Sequence, residues 1–502
     1  MYQALLTRRY LTTKIMPLLA SAAVMLSVAM ELITWSVMGG FLDQLIQSGR
    51  SLMGDIEIAR PQIGFAHYDE LIRRLEADEW VQAATPTVDA FGLVSLEEGQ
   101  ISSCLIKGIE PESYDRVTGY FGTLYWTPRD EPLPHDTERL DPRLQEENRE
   151  ALQRFKELGE TLEGVDFDTG GVRPQAVLGL EVFGKRDMRD PGGFVRDFPI
   201  FIPGLDVTLN VLPLDRRGGF LEPIARKFQV ANEFSSGIYE IDSRTIYLPL
   251  ATLQDMMKMD EAERVKRGAR PTIEYDEQGN PTGVVLPAPV GIDPARVTSV
   301  LVRADGDVPL EDLKARVAEI YEQFATDIEG VPPGGLVRIV TWEDRNSTLI
   351  GAIRKETALV LFIFGIISLT SVFLVLAIFW SMISERTKDV GILRAVGASR
   401  LGVAWLWVRY GLVIGIVGSV SGVVLAYVVI TNINAIHEWM GAALGIYIWD
   451  PKVYYFTRIP SDFNVTKAII IGASGIVSCA IGAVIPAWRA ARMDPVRALR
   501  FE

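Results

Sequence analysis

The chain has 502 residues, 48% of them hydrophobic, with a mean hydropathy of +0.18 and a formal net charge of −14. That average is apolar for a soluble protein and polar for one held wholly in lipid, so it points to a few membrane helices carrying a large water-soluble part. The negative charge argues against a nucleic-acid partner. Two cysteines without a pattern argue against a zinc site or a disulfide framework, and three scattered histidines, His67, His135 and His437, argue against a histidine-built metal centre.

Residues 1–14, with Arg8, Arg9 and Lys14, read as a short cytoplasmic segment, and residues 15–45 as a first transmembrane helix, apolar from Ile15 to Phe41. A cleaved signal peptide is the competing reading. Its apolar core would be about 7–15 residues, and this run is longer, so a retained helix is expected. Glu31 lies past the middle of the run. A carboxylate there is costly and marks a functional position by default. The plainer reading is a carboxyl that is protonated or near the interface and contacts Thr34 or a neighbouring helix.

Residues 46–352 alternate strand-like and helix-like stretches. "HYDELIRRLEADEWV" has the spacing of an amphipathic helix. "VTSVLVRA" then "PLEDLKARVAEIYEQFA" reads as strand then helix, and "RTIYLPLATLQDMM" as a strand running into a helix. This is an α+β pattern. Residues 122–172 are rich in Pro, Asp, Glu and Arg and read as a surface insertion with one short helix around "RLQEENREALQRFKEL". "GLEVFGKR", Gly179 to Arg186, has the spacing of a phosphate loop, but Arg186 stands where Ser or Thr would hold Mg²⁺, and the spacer is bulky. It reads as an ordinary turn. No other phosphate loop, nucleophile elbow or metalloprotease motif occurs, so no chemistry of its own is expected. The sequons at Asn346 and Asn464 read as chance.

A second transmembrane helix is expected at 353–384, a third at 404–431 and a fourth at 466–488. Segments three and four are rich in Gly, Ser and Ala, which lets helices approach closely. Between them lies a short loop, 432–465. A tail, 489–502, closes the chain. Basic residues set orientation. Arg8, Arg9 and Lys14, then Arg386, Lys388, Arg394 and Arg400, then Arg489, Arg492, Arg497 and Arg500 all fall on one side. Lys452 and Arg458, across the membrane, are offset by Glu438, Asp450 and Asp462. Both termini are therefore expected in the cytoplasm, with 46–352 outside.

The segment 385–400 belongs to "SERTKDVGILRAVGASR". On a helical wheel Val390, Ile392, Leu393 and Val396 fall on one half, and Thr387, Lys388 and Arg394 on the other. Gly397 ends the helix. From composition alone this is a helix lying on the lipid surface.

The same stretch closely resembles the cytoplasmic loop of FtsX-like ABC-transporter permeases (the type VII, MacB/LolC/LolE group). The ending "IPAWRAARMDPVRALRFE" resembles that family's ending. "RRYLTTK", "SVMGGF", "KGIEP", "SGIYEIDSRTIYLPL", "TW" and "RIPSDFNV" resemble, in order, the lipoprotein-releasing subfamily. The 122–172 region departs from the pattern. The resemblance implies four transmembrane helices with a MacB-like periplasmic α+β domain inserted between helices 1 and 2, in a bacterial inner membrane. It implies two copies of a separate ATPase that bind ATP and Mg²⁺, with no cofactor in this chain. It also implies a second permease chain, identical or not, lipid contacts and a periplasmic carrier. Segment 385–400 would be the coupling helix that moves the outer domain without opening a channel. Glu385, Arg386, Gly391, Leu393, Arg394 and Gly397 match the family there. Leu393 would supply apolar contact, the charged residues orientation, Gly391 close packing and Gly397 the turn. Glu31 would face the lipid substrate between helices 1 and 2. A MacB-like exporter of peptides or small amphiphiles and an FtsX-like signal relay are the alternatives.

Overall fold

The computed structural model describes residues 15–493 except 97–98, 131–145, 166–170, 187–193, 197–201, 215–218, 266–271, 276–280, 286–288, 307, 346, 447–448 and 450–458. Arg8, Arg9, Lys14, Lys452, Arg458, Arg497, Arg500, His135, Asn346 and the closing "DPVRAL" lie outside the described residues. Two compact units form: residues 1–44, 348–448 and 459–502 in one, and 45–347 with 449–458 in the other.

The first unit is a helical bundle. Among the described residues, four of its helices are long and apolar enough to cross a membrane. They are α1 (Ile15–Met53), α7 (Ser347–Glu385), α9 (Arg400–Thr431) and α11 (Val465–Ala491). A shorter helix, α8 (Thr387–Ala395), joins α7 to α9. A further one, α10 (Ile433–Leu444), occupies part of the segment expected as a loop, and Gly445 closes it in the left-handed region.

A glycine stripe organises the bundle. Gly411, Gly415, Gly418 and Gly422 of α9 recur at four-, three- and four-residue spacing, which keeps them on one face. A Cβ on Gly411 would lie 2.7 Å from the Cβ of Ala483, and one on Gly415 would lie 2.9 Å from the Cβ of Cys479, both on α11. On Gly418 and Gly422 it would meet the backbone oxygens of Ser21 and Met25 on α1, at 2.9 and 2.7 Å. Absent side chains therefore let α9 touch two helices backbone to backbone, the way small residues drive packing in lipid.

The second unit is α+β. The strands of its main sheet are β1 (Ile56–Ala59), β2 (Val81–Leu96), β3 (Ile101–Ile109), β4 (Glu163–Val165), β5 (Val172–Gly179), β6 (Asp206–Val211), β7 (Ile224–Phe234), β8 (Thr245–Pro249), β9 (Ser299–Ala304) and β10 (Arg338–Thr341). They run β10–β1–β9–β2–β3–β8–β5–β7–β6, with β4 beside β5. β6 also pairs with the far end of β2, through Gly92–Leu96, so the strands from β2 round to β6 close on themselves. The 16-residue length of β2 makes this possible, since its first half pairs with β9 and its second with β6. Closure leaves that part of the sheet without a free edge.

The helices expected here are present. α2 (Tyr68–Glu76) has Asp69 and Glu70 in its first turn, Arg73 and Arg74 in its last, and buries Leu71 and Leu75. α3 (Pro111–Thr118) follows β3, α5 (Leu250–Met257) follows β8, and α6 (Leu310–Asp327) buries Leu313, Val317, Ile320, Tyr321 and Phe324. The acidic stretch expected as a surface insertion contains α4 (Arg149–Thr161), which is no appendage. Leu152 and Leu162 are buried, the Tyr120 hydroxyl donates to the Gly159 carbonyl at 2.9 Å, and Asn232 Nδ2 donates to the Phe155 carbonyl at 3.0 Å. Few apolar residues carry that packing, so the surrounding charge conceals it in the sequence. "GLEVFGKR" is the end of β5, a turn and a short strand, Gly184–Arg186.

Candidate functional site

The segment between α7 and α9 is built by local rules. α8 ends in a left-handed Gly397, φ +101°. Gly397 N–H donates to the Arg394 carbonyl at 3.2 Å and Ala398 N–H to the Leu393 carbonyl at 3.0 Å. This is the paired hydrogen-bond pattern that a glycine just past a helix end allows. Arg394 Nη1 reinforces it by donating to the Ala398 carbonyl at 2.9 Å. Ser399 then caps α9, its Oγ accepting from Gly402 N–H at 3.0 Å. At the other end, Arg386 Nη1 meets Asp389 Oδ2 at 3.1 Å.

The face that α8 buries differs from the helical-wheel expectation. Thr387, Val390 and Gly391 are buried, one turn apart, and Val390 shares an apolar cluster with Phe379, Met382, Ile383, Val403 and Trp407. Leu393 and Arg394 are half-buried. Ile392 is 52% exposed and Val396 84%. The wheel set Val390, Ile392, Leu393 and Val396 together on one half of a helix expected on the lipid surface. Small residues at 387 and 391 instead let the opposite flank approach the bundle. A protruding row remains, with Lys388, Ile392 and Val396 at four-residue spacing and Glu385 and Leu401 at its ends. Of the six family-matching positions, Glu385 and Gly397 lie exposed, Gly391 is buried, and Arg386, Leu393 and Arg394 are half-buried. Exposed apolar residues rimmed by charge mark an interaction surface. Ile392 and Val396, on the apolar half of the wheel, and Leu401 are not among the coupling residues the sequence suggested, because a wheel shows periodicity but not which side is packed.

Glu31 lies half-buried in the bundle. It lines a cavity of about 10 Å³ with Ser27, Ser368, Ser474 and Ser478. That volume holds roughly one water, so the cavity as it stands excludes an acyl chain. Ser27 is one turn before Glu31 and Ser474 one turn before Ser478, which is the signal the sequence carried for them.

Motifs remote in sequence meet in space. Ser36 and Gly40 of "SVMGGF" touch "RIPSDFNV". Ser36 Oγ donates to the Asp462 carbonyl, and a Cβ on Gly40 would lie 3.2 Å from the backbone of Pro460 and Asp462. Asn434 of α10 holds the same turn, accepting from Ile459 N–H at 2.9 Å. In the α+β unit "KGIEP" and "RTIYLPL" form the parallel pair β3–β8, with Lys107 opposite Tyr247. Gly108 there lets α5 approach, since a Cβ would lie 3.0 Å from that of Leu253. Lys107 is buried against Asp89 at 2.7 Å. Thr341 of "TW" caps the turn that follows β10, its Oγ1 accepting from Asp344 N–H at 3.0 Å while Asp344 Oδ2 accepts from Thr341 N–H at 3.1 Å. Lys314 lies 2.6 Å from Asp344 and holds its carboxyl below the usual range. Burial pushes the Cys104 thiol up to about 12.

Residues 361–495 match the family described as FtsX-like permease C-terminal. The chain is 29% identical over 161 residues to the lipoprotein-releasing system transmembrane protein LolC of Xylella fastidiosa (strain 9a5c), covering 32% of this chain. It spans 39% of that relative's length and 48% of its counterpart in a second strain of the species. To the protein of the same name from Neisseria meningitidis serogroup B it is 20% identical over 482 residues, covering 96% of this chain and 93% of that one. The periplasmic region of MacB from Actinobacillus actinomycetemcomitans matches at 11% identity and a TM-score of 0.27, over 60% of this chain and 94% of that one.

Proposed function

This chain belongs to the FtsX-like, MacB-like ABC-transporter permeases, and from that premise we propose that it is the membrane subunit of a transporter that lifts lipid-anchored proteins out of the inner membrane. The observation that carries the reading is the alignment with a lipoprotein-releasing LolC over 96% of this chain, helices and α+β unit alike. The meeting of "SVMGGF" with "RIPSDFNV" and of "KGIEP" with "RTIYLPL" supports it, since those motifs suggested the subfamily.

In this reading the termini and α8 face the cytoplasm and the α+β unit faces the periplasm. Two copies of a separate ATPase bind ATP and Mg²⁺ and dock on α8, and a second permease chain completes the membrane part. Closure of the ATPases pushes on α8 and is carried by the long helices to the outer unit, which passes cargo to a periplasmic carrier. The protruding row of α8 makes the contact: Ile392 and Val396 enter the ATPase groove, and Glu385 and Lys388 set the approach. Arg386, Gly391, Leu393, Arg394 and Gly397 hold the helix against the bundle and fix its end. Such a contact places apolar anchors inside a charged rim. Glu31 lies on the substrate's route once the helices part.

Depletion of the protein tests the proposal. Lipoproteins destined for the outer membrane should accumulate in the inner membrane, and an unchanged distribution between the two membranes would sink it. Accumulation of a small amphiphile with lipoproteins correctly placed would favour a MacB-like exporter instead.

A further inference from the structure

Trp380 and Ser384 of α7, Thr387 at the start of α8 and Arg489 in the last turn of α11 line a cavity of about 110 Å³. That is several times the volume one water needs. Arg489 sits over Trp380, with its guanidinium carbon 4.1 Å from the ring centroid. Stacking uses the face of the guanidinium and leaves its in-plane N–H fork for an acceptor. Among the described residues no carboxylate lies within ion-pair distance of the Arg489 guanidinium, and the guanidinium has no hydrogen bond to any of them. Arg386, by contrast, is committed to Asp389. Arg492, one turn beyond Arg489, stacks on Trp488 at 3.6 Å and adds a second positive charge at the same end. Trp380 and Trp488 are both exposed, at 40% and 56%.

We propose that this cavity binds the phosphate of an anionic phospholipid headgroup, held by the Arg489 fork. Among the described residues the lining offers a cation and hydroxyl groups and no carboxylate, which suits an anion. A guanidinium is the side chain best shaped to take phosphate oxygens two at a time. Exposed tryptophans at the end of membrane-spanning helices are what sits at headgroup level, and basic pockets between such helices take anionic headgroups. Those features favour a lipid over a soluble phosphate. Because Ser384 and Thr387 flank the junction of α7 with α8, an occupied cavity braces the root of α8. That consequence for coupling rests on the proposed ATPase role, whereas the binding site does not.

The test uses the full-length protein in nanodiscs, with quenching of tryptophan fluorescence by brominated phosphatidylglycerol against brominated phosphatidylcholine. Phosphatidylglycerol should be preferred, and Arg489→Gln should weaken it about five-fold, the equivalent of about 1 kcal/mol, while phosphatidylcholine is unaffected. Arg489→Lys should give an intermediate loss, since charge remains without the fork. Should Arg489→Gln fail to fold, Arg489→Lys and Trp380→Leu carry the test, each expected to weaken phosphatidylglycerol selectively. Equal binding of both lipids, or an Arg489 variant that folds and binds phosphatidylglycerol as before, would overturn the proposal. So would full displacement of quenching by millimolar inorganic phosphate, which would make the ligand a soluble anion. In the complex with its ATPase, phosphatidylglycerol should raise ATP hydrolysis in the native chain more than in the Arg489 variants. Preserved binding without that rise would refute the coupling role alone.

Discussion

The glycine stripe of α9 makes a demanding prediction. A Cβ on Gly415 falls 2.9 Å from the Cβ of Cys479 and 3.2 Å from the Cα of Ile476. Carbon pairs prefer about 3.5–4.0 Å, so even alanine must part α9 from α11 by roughly half an ångström or more. Gly415→Val drives two further carbons into the same place. Overpacking of this kind costs about 1–3 kcal/mol, and valine should reach the top of that range, because the obstructing atoms are backbone or the first side-chain carbon and cannot swing away. Gly365 of α7 is the control, as nothing lies within 4 Å of its missing Cβ. Gly365→Val should be neutral or stabilising by a few tenths of a kcal/mol from helix propensity. Unfolding in mixed micelles of rising SDS fraction, followed by tryptophan fluorescence, reads the difference. Gly415→Val should unfold at distinctly lower SDS than the native chain and Gly365→Val beside it. If the two variants unfold together, close approach through the stripe does not hold the bundle.

Gly397→Ala forces a Cβ into the left-handed region at φ +101°, a strain of about 1–3 kcal/mol. It should speed protease cleavage between α8 and α9 and lower ATP hydrolysis by the complex, and unchanged cleavage would argue against the cap. The Asp344 carboxyl is held below its unfolded range by Lys314. Its contribution is therefore complete above the ordinary carboxylate range and is lost as pH falls through its lowered folded value. The stability gap between the native chain and Asp344→Asn should be constant at neutral pH and close below about pH 4, whereas a gap independent of pH would refute the ion pair's role. Cys104 is buried with its thiol pushed up to about 12. In a Cys479→Ser background a thiol reagent at pH 8 should label it only after denaturation, and rapid native labelling would contradict its placement.

What could be read from the sequence follows from where each element gets its stability. The α2 and α6 helices and the strand-to-helix run of β8 into α5 carry their own periodicity, so they stood out. Membrane helices announce themselves by length and composition, and the small residues of α9 and α11 announced close packing. Which neighbours they touch did not, because Gly411 and Gly418 look alike until α11 and α1 are set beside them. Closure of the sheet rests on β6 pairing with the far end of β2, a contact of long sequence separation that no local pattern encodes. At the candidate site Gly397 was legible, since a glycine past a helix end has one physical use. The roles of Ile392 and Val396 were not, because an apolar residue facing a partner looks the same in sequence as one facing the core.

The proposed role of α8 as the docking point of a separate ATPase is tested most directly by co-purification. Full-length Ile392→Asp/Val396→Asp should insert in the membrane and purify as a folded chain, since both side chains are exposed. The native protein should carry an ATPase through purification, and the variant should lose it. Retention of the ATPase at native stoichiometry by that variant would contradict the account.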